Sequence, residues 1–574
     1  MKGEEQTLNT LDPRWTALIY KATTGEDFLG LRAVQGNIIG YLLPGIITLT
    51  PRARYYAFYS WLLVEYGQSH PPGMSLAAFM KRREQIFVLA NLAWSASSDD
   101  NSSEGGLLGS IRLGRHWRAY HEADTIPLGV DNYLKARYGG YGQYVGVMRA
   151  LGLNQQQESG VLEVLPKGQD LAQAFAAAIE GTRYYRQRVA FDTAESIPLD
   201  LLQEYGARCH LSGLAVSPDC PPILEVLFAF NADKTLPPPG SNDPPIGNMR
   251  GTLGLILDMV DQTKGSFTSS DFRQAAAYGL CVDYDLYRPA EPLSPFLAHW
   301  RMFQLREYYV YAFYALWVYF LYWLRLEGSQ TFQAFCTHLD EAIDLATAAA
   351  AIGLAIPQRS PDEWALAEWL DTLLDISDIP GDDWESRCLA FAQRSSASLN
   401  EHALYRLLNR VEPSEPSTYV GLTWLLLSAL YLRLQGLRES AEQSAWYWAR
   451  LGGPRRRSMD LFVRDMRSHM AAGDTILDAW SWLFRDYIVA QHIITALEKW
   501  RQRNANTFHF NYEQGIFEWV RDGVTGFSAS RFRQAYDMLA DLGLYEIDSE
   551  AGDRPRLTDL GRETLQRVLE ACGD

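Results

Sequence analysis

Residues 526–570 read GFSASRFRQAYDMLADLGLYEIDSEAGDRPRLTDLGRETLQRVLE, and this stretch contains the clearest fold signal in the chain. Ser528 suits the N-cap of a helix, because its hydroxyl can accept a hydrogen bond from a free amide of the first turn. Gly543 suits the residue that ends a helix in the left-handed conformation. Between them, the apolar residues follow helical spacing along one face: Phe532, Ala535, Tyr536, Leu539 and Leu542. The pattern predicts a helix over residues 529–542.

The residues after Gly543 predict a β-hairpin and a last helix. Residues 544–547 suit a short strand, residues 548–553 are turn-forming, and residues 554–557 can return as a second strand. Thr558 can then cap a helix over residues 559–570, whose apolar side contains Leu565 and Val568. The chain therefore ends in the order helix, hairpin, helix.

This order resembles the second half of bacterial winged-helix domains, on the residues LADLGL at 539–544 and LTDLGR at 557–562. The resemblance implies that the helix before the wing enters the DNA major groove. Arg531, Arg533 and Gln534 would then face bases, while Arg554 and Arg556 on the wing would meet phosphates. The alternative is a protein-docking domain with solvated arginines. Residues 506–574 contain seven arginines, no lysine and thirteen acidic residues, so DNA would repel this module.

The rest of the chain predicts a mainly α, multi-domain helical body in front of the winged-helix-like domain. Helical periodicity dominates, and strand-like alternation is scarce. A 17-residue uncharged aromatic stretch at 308–324 predicts a buried core helix and not a membrane span. The predicted units are an N-terminal helical domain (1–195), a central domain with the aromatic helix (196–400), a helical segment (401–505) and the winged-helix-like domain (506–574).

The composition and the motifs of the chain indicate where the protein is located and which kinds of catalysis to expect. The net charge of −17 argues against a protein that coats nucleic acid nonspecifically. The six cysteines form no CxxC pair, and the first residues lack an apolar signal core, so we expect reduced thiols and a cytoplasmic location. The sequence contains no phosphate-binding loop, dinucleotide fingerprint, HExxH or GxSxG motif. We therefore expect no cofactor or metal and favour a noncatalytic role.

Residues 450–467 (RLGGPRRRSMDLFVRDMR) form the strongest basic stretch of this acidic chain. It contains two aspartates and six arginines: Arg450, Arg455, Arg456, Arg457, Arg464 and Arg467. The preceding Trp446, Tyr447 and Trp448 could stack on unpaired bases. The stretch is a candidate contact for nucleic acid or for a partner protein. The alternative is a solvated loop beside a packed helix.

Arg52 and Arg54 stand at the predicted start of a helix in the segment LTPRARYYAFYSWLL. Thr50 suits the N-cap and Pro51 the first helical position, so the helix should begin there. Positive charge is unfavourable at this end of the helix dipole. We expect these two arginines either to hold an anion or to pair with a carboxylate from another domain.

The N-terminal region also resembles a group of uncharacterised bacterial proteins that are often encoded near phage-defence genes. The shared pattern has a Leu-Gly start (Leu29–Gly30), a Pro-Gly turn (Pro44–Gly45) and a TxARYxxFxxWxL motif, here at residues 50–62. A later segment at 138–153, YGGYGQYVGVMRALGL, is similar too. The resemblance implies membership of a multi-gene defence system but assigns no residue a role.

Together, these features predict a noncatalytic subunit that associates with DNA or forms a complex within a multi-gene bacterial system, with anti-phage defence implied by the resemblance. Its partners would be DNA or proteins encoded nearby, and no membrane. One alternative is a protein-interaction scaffold or regulated effector subunit that docks through the acidic winged helix. Another is a nuclease whose site is assembled only in three dimensions.

Overall fold

The computed structural model describes residues 27–49, 51–69, 73–98, 105–156, 162–230, 246–280, 287–393, 399–439, 443–503, 506–528, 530–550 and 552–573. The helices are α1 (Arg32–Leu42), α2 (Arg54–Ser69), α3 (Leu76–Ser98), α4 (Ser110–Tyr120), α5 (Tyr141–Ala150), α6 (Pro166–Ile179), α7 (Arg183–Gln187), α8 (Leu199–Cys209), α9 (Cys220–Phe228), α10 (Ile246–Gln262), α11 (Ser269–Tyr278), α12 (Ser294–Glu327), α13 (Phe332–Ala342), α14 (Leu345–Ala350), α15 (Leu366–Ile376), α16 (Trp384–Gln393), α17 (Glu401–Leu408), α18 (Pro416–Glu439), α19 (Gln443–Arg450), α20 (Met459–Ala472), α21 (Ile476–Trp482), α22 (Ala490–Arg503), α23 (Phe532–Asp541) and α24 (Asp559–Gly573). The strands are β1 (Thr125–Pro127), β2 (Asn154–Gln156), β3 (Leu162–Val164), β4 (Ser196–Pro198), β5 (Gln330–Thr331), β6 (Phe510–Glu513), β7 (Ile516–Trp519), β8 (Tyr545–Asp548) and β9 (Arg554–Leu557). The protein is mainly helical, as the sequence predicts.

The 34-residue helix α12 lies at the centre of the fold and contains the uncharged aromatic stretch. Nearly all of its side chains are buried, and it packs against α1, α10, α11, α17, α18 and α19. A helix that is apolar on every face must be covered by other elements on every face to keep it from water, and these helices cover α12. Within the described residues, one helix, Pro416–Arg438, is long and apolar enough to cross a membrane, and its apolar stretch is wholly buried in the core.

The first described residues are anchored in the centre of the molecule. The Tyr314 hydroxyl of α12 donates to the Asp27 carboxylate over 2.5 Å. The Gln491 amide of α22 donates to the Leu29 carbonyl. Gly30 adopts φ +71°, and a Cβ there would lie 2.5 Å from Nη1 of Arg456. The Leu-Gly start therefore has a packing reason, because only glycine suits both this conformation and this close approach.

The predicted order of helix, hairpin and helix at the C-terminal end is present. Strands β8 and β9 pair antiparallel, with Tyr545 opposite Leu557. Gly543 has φ +72° and ends α23, and the Thr558 hydroxyl accepts from the Gly561 amide at the start of α24. The N-cap prediction is wrong: α23 begins at Phe532, and Arg531, not Ser528, precedes it.

The C-terminal elements pack onto the body as part of its core. Helix α23 contacts α10 and α11, and α24 contacts α10. Phe532 stacks on Phe272 of α11 with ring centroids 4.2 Å apart. Buried apolar side chains form one connected cluster from Phe28 to Val568. The apolar face of α23, which its periodicity predicts, is therefore covered by the chain itself.

Candidate partner-binding surface

Arg52 and Arg54 hold distant parts of the chain together through carboxylates. Helix α2 begins at Arg54, later than predicted, so Arg52 precedes it. Arg52 Nη1 lies 2.5 Å from Oδ1 of Asp541 on α23. Arg54 is fully buried and contacts both carboxylate oxygens of Asp219 at 3.1 Å. Burial raises the pKa of Asp541 to about 6, and the nearby Arg52 opposes the rise. Both arginines therefore have carboxylate partners in other elements.

The arginines assigned to DNA by the winged-helix resemblance are engaged within the protein. Arg531 points inward and donates to the Leu43 carbonyl over 3.0 Å. Arg533 pairs with Asp537 one turn along α23, and Gln534 donates to the Thr48 carbonyl. Arg531 and Gln534 therefore face the body, whereas Arg533 is exposed beside Asp537.

The two arginines on the wing differ in their surroundings. Arg554 is half-buried, and its Nε is enclosed without a hydrogen-bond partner. Arg556 is exposed but lies 2.8 Å from a carboxylate oxygen of Asp548 on the neighbouring strand. Arg556 is therefore opposed by a carboxylate, whereas Arg554 is partly covered by the protein.

Three of the six arginines in the stretch 450–467 pair with carboxylates. Arg455 and Arg456 share Glu498 at 2.7 and 2.6 Å, and Arg464 pairs with Asp460. The Arg457 guanidinium lies over the Tyr487 ring at 4.9 Å. Four arginines of the stretch lie at the exposed surface: Arg450, Arg455, Arg464 and Arg467.

The aromatic neighbours of this stretch mostly face inward. Trp446 and Trp448 are buried, and the Trp446 indole donates to Asp460 over 3.0 Å. Only Tyr447 of the three is exposed. The expected row of aromatic faces for stacking on bases is therefore absent at these three positions.

A different surface, formed by hairpin β6–β7 and α22, combines the features of an interaction site. The hairpin turns at Gln514 and Gly515, which have φ values of +51° and +86°. Two consecutive left-handed residues are typical of the tight turn that matches the twist of a two-stranded ribbon. The sequence contains the signal, since aromatic residues alternate in FNYEQGIFEW on both sides of Gln-Gly, but no strand is predicted there.

One face of the hairpin is anchored on α12. Phe510 and Phe517 are buried, with ring centroids 5.9 and 5.6 Å from Phe320. The residues after α12 add strand β5, so that the sheet order is β5–β7–β6. Arg325 at the end of α12 also pairs with Asp522 at 2.9 Å. The hairpin is thus fixed to the end of the longest helix.

Exposed apolar side chains lie on both faces of the hairpin: Tyr512 and Trp519 share the face of Phe517, and Ile516 lies on the other. Tyr512, Ile516 and Trp519 are 56%, 41% and 38% exposed. Helix α22 contacts the same region, because His492 lies 5.2 Å from Phe510 between ring centroids. The described residues expose seventeen large apolar side chains, and eight of them lie within residues 494–524: Ile494, Leu497, Trp500, Tyr512, Ile516, Trp519, Val520 and Val524. We call these eight residues the hairpin surface.

Acidic residues accompany the apolar ones along this surface. Glu513, Glu518 and Asp522 lie between or beside them in sequence and are all exposed. Among the described residues, no group of three or more His, Cys, Asp or Glu side chains could hold a metal ion. Apolar centres with polar rims are the usual anatomy of protein interfaces.

Comparison with known proteins gives no relative: no protein-family model, curated protein or solved structure matches the chain at a significant level.

Proposed function

We propose that this protein is a noncatalytic subunit that binds another protein through the hairpin surface. The observation that carries the proposal is the concentration of exposed apolar side chains: eight of seventeen fall within 31 consecutive positions. Scattered apolar residues are normal on a soluble protein, whereas a concentrated group rimmed by polar residues marks an interaction site.

The geometry favours a protein partner over DNA. Several of the predicted DNA-contacting arginines face carboxylates or carbonyls of the chain itself, as Arg531 and Arg455 do. The net charge of −17 adds long-range repulsion from phosphates. We infer that residues 506–574 form a winged-helix-like module whose helix α23 packs against the body.

The setting of the subunit follows from two further inferences. We place it in the cytoplasm, because the five described cysteines are free thiols and four of them are buried. The resemblance of residues 50–62 to proteins encoded near phage-defence genes suggests where its partner is encoded. The partner would be the product of a neighbouring gene.

The proposal is tested by co-purification. The full-length protein is co-expressed with the products of neighbouring genes. In a parallel experiment it is replaced by a triple variant that carries Tyr512→Ser, Ile516→Ser and Trp519→Ser. Val189→Ser with Val216→Ser is the matched control, because both valines are exposed elsewhere on the surface. We expect the wild type and the control to retain a partner that the triple variant loses. Retention by the triple variant, or no co-purifying product at all, would contradict the proposal.

A further inference from the structure

The free edge of β6 offers backbone hydrogen bonds to another chain. β6 pairs only with β7 among the described strands, and it is the outer strand of its sheet. The Val520 amide donates to the His509 carbonyl over 2.9 Å. Since hydrogen-bonded pairs alternate along an antiparallel ladder, Asn511 and Glu513 are bonded to β7. The amide and carbonyl of Tyr512, between them, therefore point away from the sheet.

This edge has only part of the usual protection against pairing: β6 is short, at four residues, but contains no proline or lysine. Natural edge strands are shortened, bulged, covered, or supplied with proline or lysine. β6 reads FNYE, and its last three residues are exposed. A single acidic residue, Glu513, is the only charge on the strand. The edge is therefore open to strand addition, and a partner lacking negative charge would meet little resistance.

The side chains beside the edge alternate in character. Tyr512 lies on the same face as Phe517 and packs against it with ring centroids 4.6 Å apart. Asn511 and Glu513 belong to the opposite face, with Glu518 across the ladder from Asn511. Residues 510–522 contain three acidic residues and one basic residue. That residue, Arg521, donates to the carbonyls of Phe508 and Asn506.

We propose that the partner binds as an extended strand on the free edge of β6, through a segment in which apolar residues alternate with lysine or arginine. The inference rests on the proposed function and names the partner chemistry of the same surface. Strand addition obtains affinity from main-chain hydrogen bonds and specificity from alternate side chains. An apolar residue of the partner would lie beside Tyr512, and the basic residues next to it would lie on the same face as Glu513.

A pair of variants at one position isolates the backbone contribution. Tyr512→Ala and Tyr512→Pro both remove the ring, but only proline removes the outward amide. Neither change breaks a hydrogen bond to β7, because the Tyr512 amide points away from that strand. We expect Tyr512→Pro to weaken partner binding about tenfold beyond Tyr512→Ala, the effect of one hydrogen bond. Thermal unfolding of both variants shows whether the hairpin remains folded.

The probe for the full-length protein is a short fluorescent peptide of alternating valine and lysine, followed by anisotropy. Its controls are a valine–glutamate peptide and a valine–lysine peptide methylated on alternate backbone nitrogens, which tests the hydrogen bonds without altering the protein. We expect binding of the first peptide alone, weakened by salt and by Glu513→Lys.

Two results would overturn the strand-addition proposal. One is equal binding of the methylated and plain peptides, and the other is no anisotropy change with the plain peptide. If the triple variant still loses its co-purifying partner in that case, the proposed function stands and only the mode of binding fails. If neither the peptide nor any neighbouring product binds, both proposals fail.

Discussion

Replacement of Glu307 by glutamine should stabilise the protein above neutral pH. Glu307 is buried on α12, where it accepts hydrogen bonds from the Gln35 side-chain amide and from the Ser528 backbone amide. Burial raises the pKa of this carboxyl from 4.5 to about 7, although both hydrogen bonds and the nearby Arg273 oppose the rise. The folded protein therefore holds a proton on Glu307 at a pH where the unfolded chain has lost it.

The size and the sign of the effect follow from this pKa. Between pH 4.5 and about 7, the folded state binds more protons at this site than the unfolded state. Stability therefore falls as the pH rises through that range and levels off above it. The shift corresponds to an upper bound of about 3 kcal/mol, at about 1.4 kcal/mol for each pKa unit.

Glutamine suits this site because its surroundings can adapt. Its oxygen can accept from Ser528, and its amide can donate to Gln35 Oε1, which is buried and has no partner. The assay is urea unfolding at pH 5 and pH 8. We expect the free energy of unfolding of Glu307→Gln to exceed that of the wild type at pH 8 by up to about 3 kcal/mol. The variant should also lose the pH dependence of stability that comes from this site. A variant with the same pH dependence as the wild type would refute the reasoning.

Glu84 provides the contrasting control. Burial raises the pKa of this carboxyl to about 7 as well. It accepts from three donors, the hydroxyls of Tyr59 and Tyr133 and the amide of Gly140. The hydroxyls can also accept, but the Gly140 amide can only donate, and it lies 3.1 and 2.9 Å from the two carboxylate oxygens. A glutamine here would direct its own donor group toward that amide, at a cost of about 1–3 kcal/mol. We expect Glu84→Gln to destabilise the protein at both pH values.

Three further predictions concern the body and the arginine-rich stretch. Arg54→Lys should lower the free energy of unfolding by about 3–5 kcal/mol in urea titrations, because lysine cannot replace the forked contact with the buried Asp219. Gly30→Ala should lower the melting temperature, since alanine costs about 1–2 kcal/mol in the left-handed region and its Cβ would meet Arg456. Arg455→Ala should leave any binding of duplex DNA unchanged in titrations at moderate salt, because Arg455 is already paired with a carboxylate.

Local patterns in the sequence were sufficient for much of the fold. The strand predicted at 554–557 matches β9, and the helix after Thr558 begins at Asp559 as expected. The buried aromatic helix is confirmed within α12. These features depend on turns, caps and one-sided periodicity within a short window, where the responsible residues are neighbours in sequence.

The surroundings of the candidate arginines could not be predicted in the same way. Arg531 contacts the carbonyl of Leu43, which lies 488 positions away in sequence. Arg52 likewise meets Asp541 on α23. Periodicity shows which face of a helix is apolar, but it does not show which distant segment covers the polar side. An arginine in an acidic chain therefore does not by itself indicate nucleic-acid binding, because a carboxylate of the same chain can pair with it.

The interior position of α23 changes what the C-terminal order of elements implies. A helix that binds the major groove must expose the residues that contact bases. In this protein, Gln534 and Arg531 donate to carbonyls of residues 43–48, and Phe532 stacks against α11. Exposing that helix to DNA would require breaking contacts that are continuous with the main core. Fold order alone therefore does not assign a function. The hairpin surface can meet a partner without any such rearrangement, since its apolar side chains are already exposed.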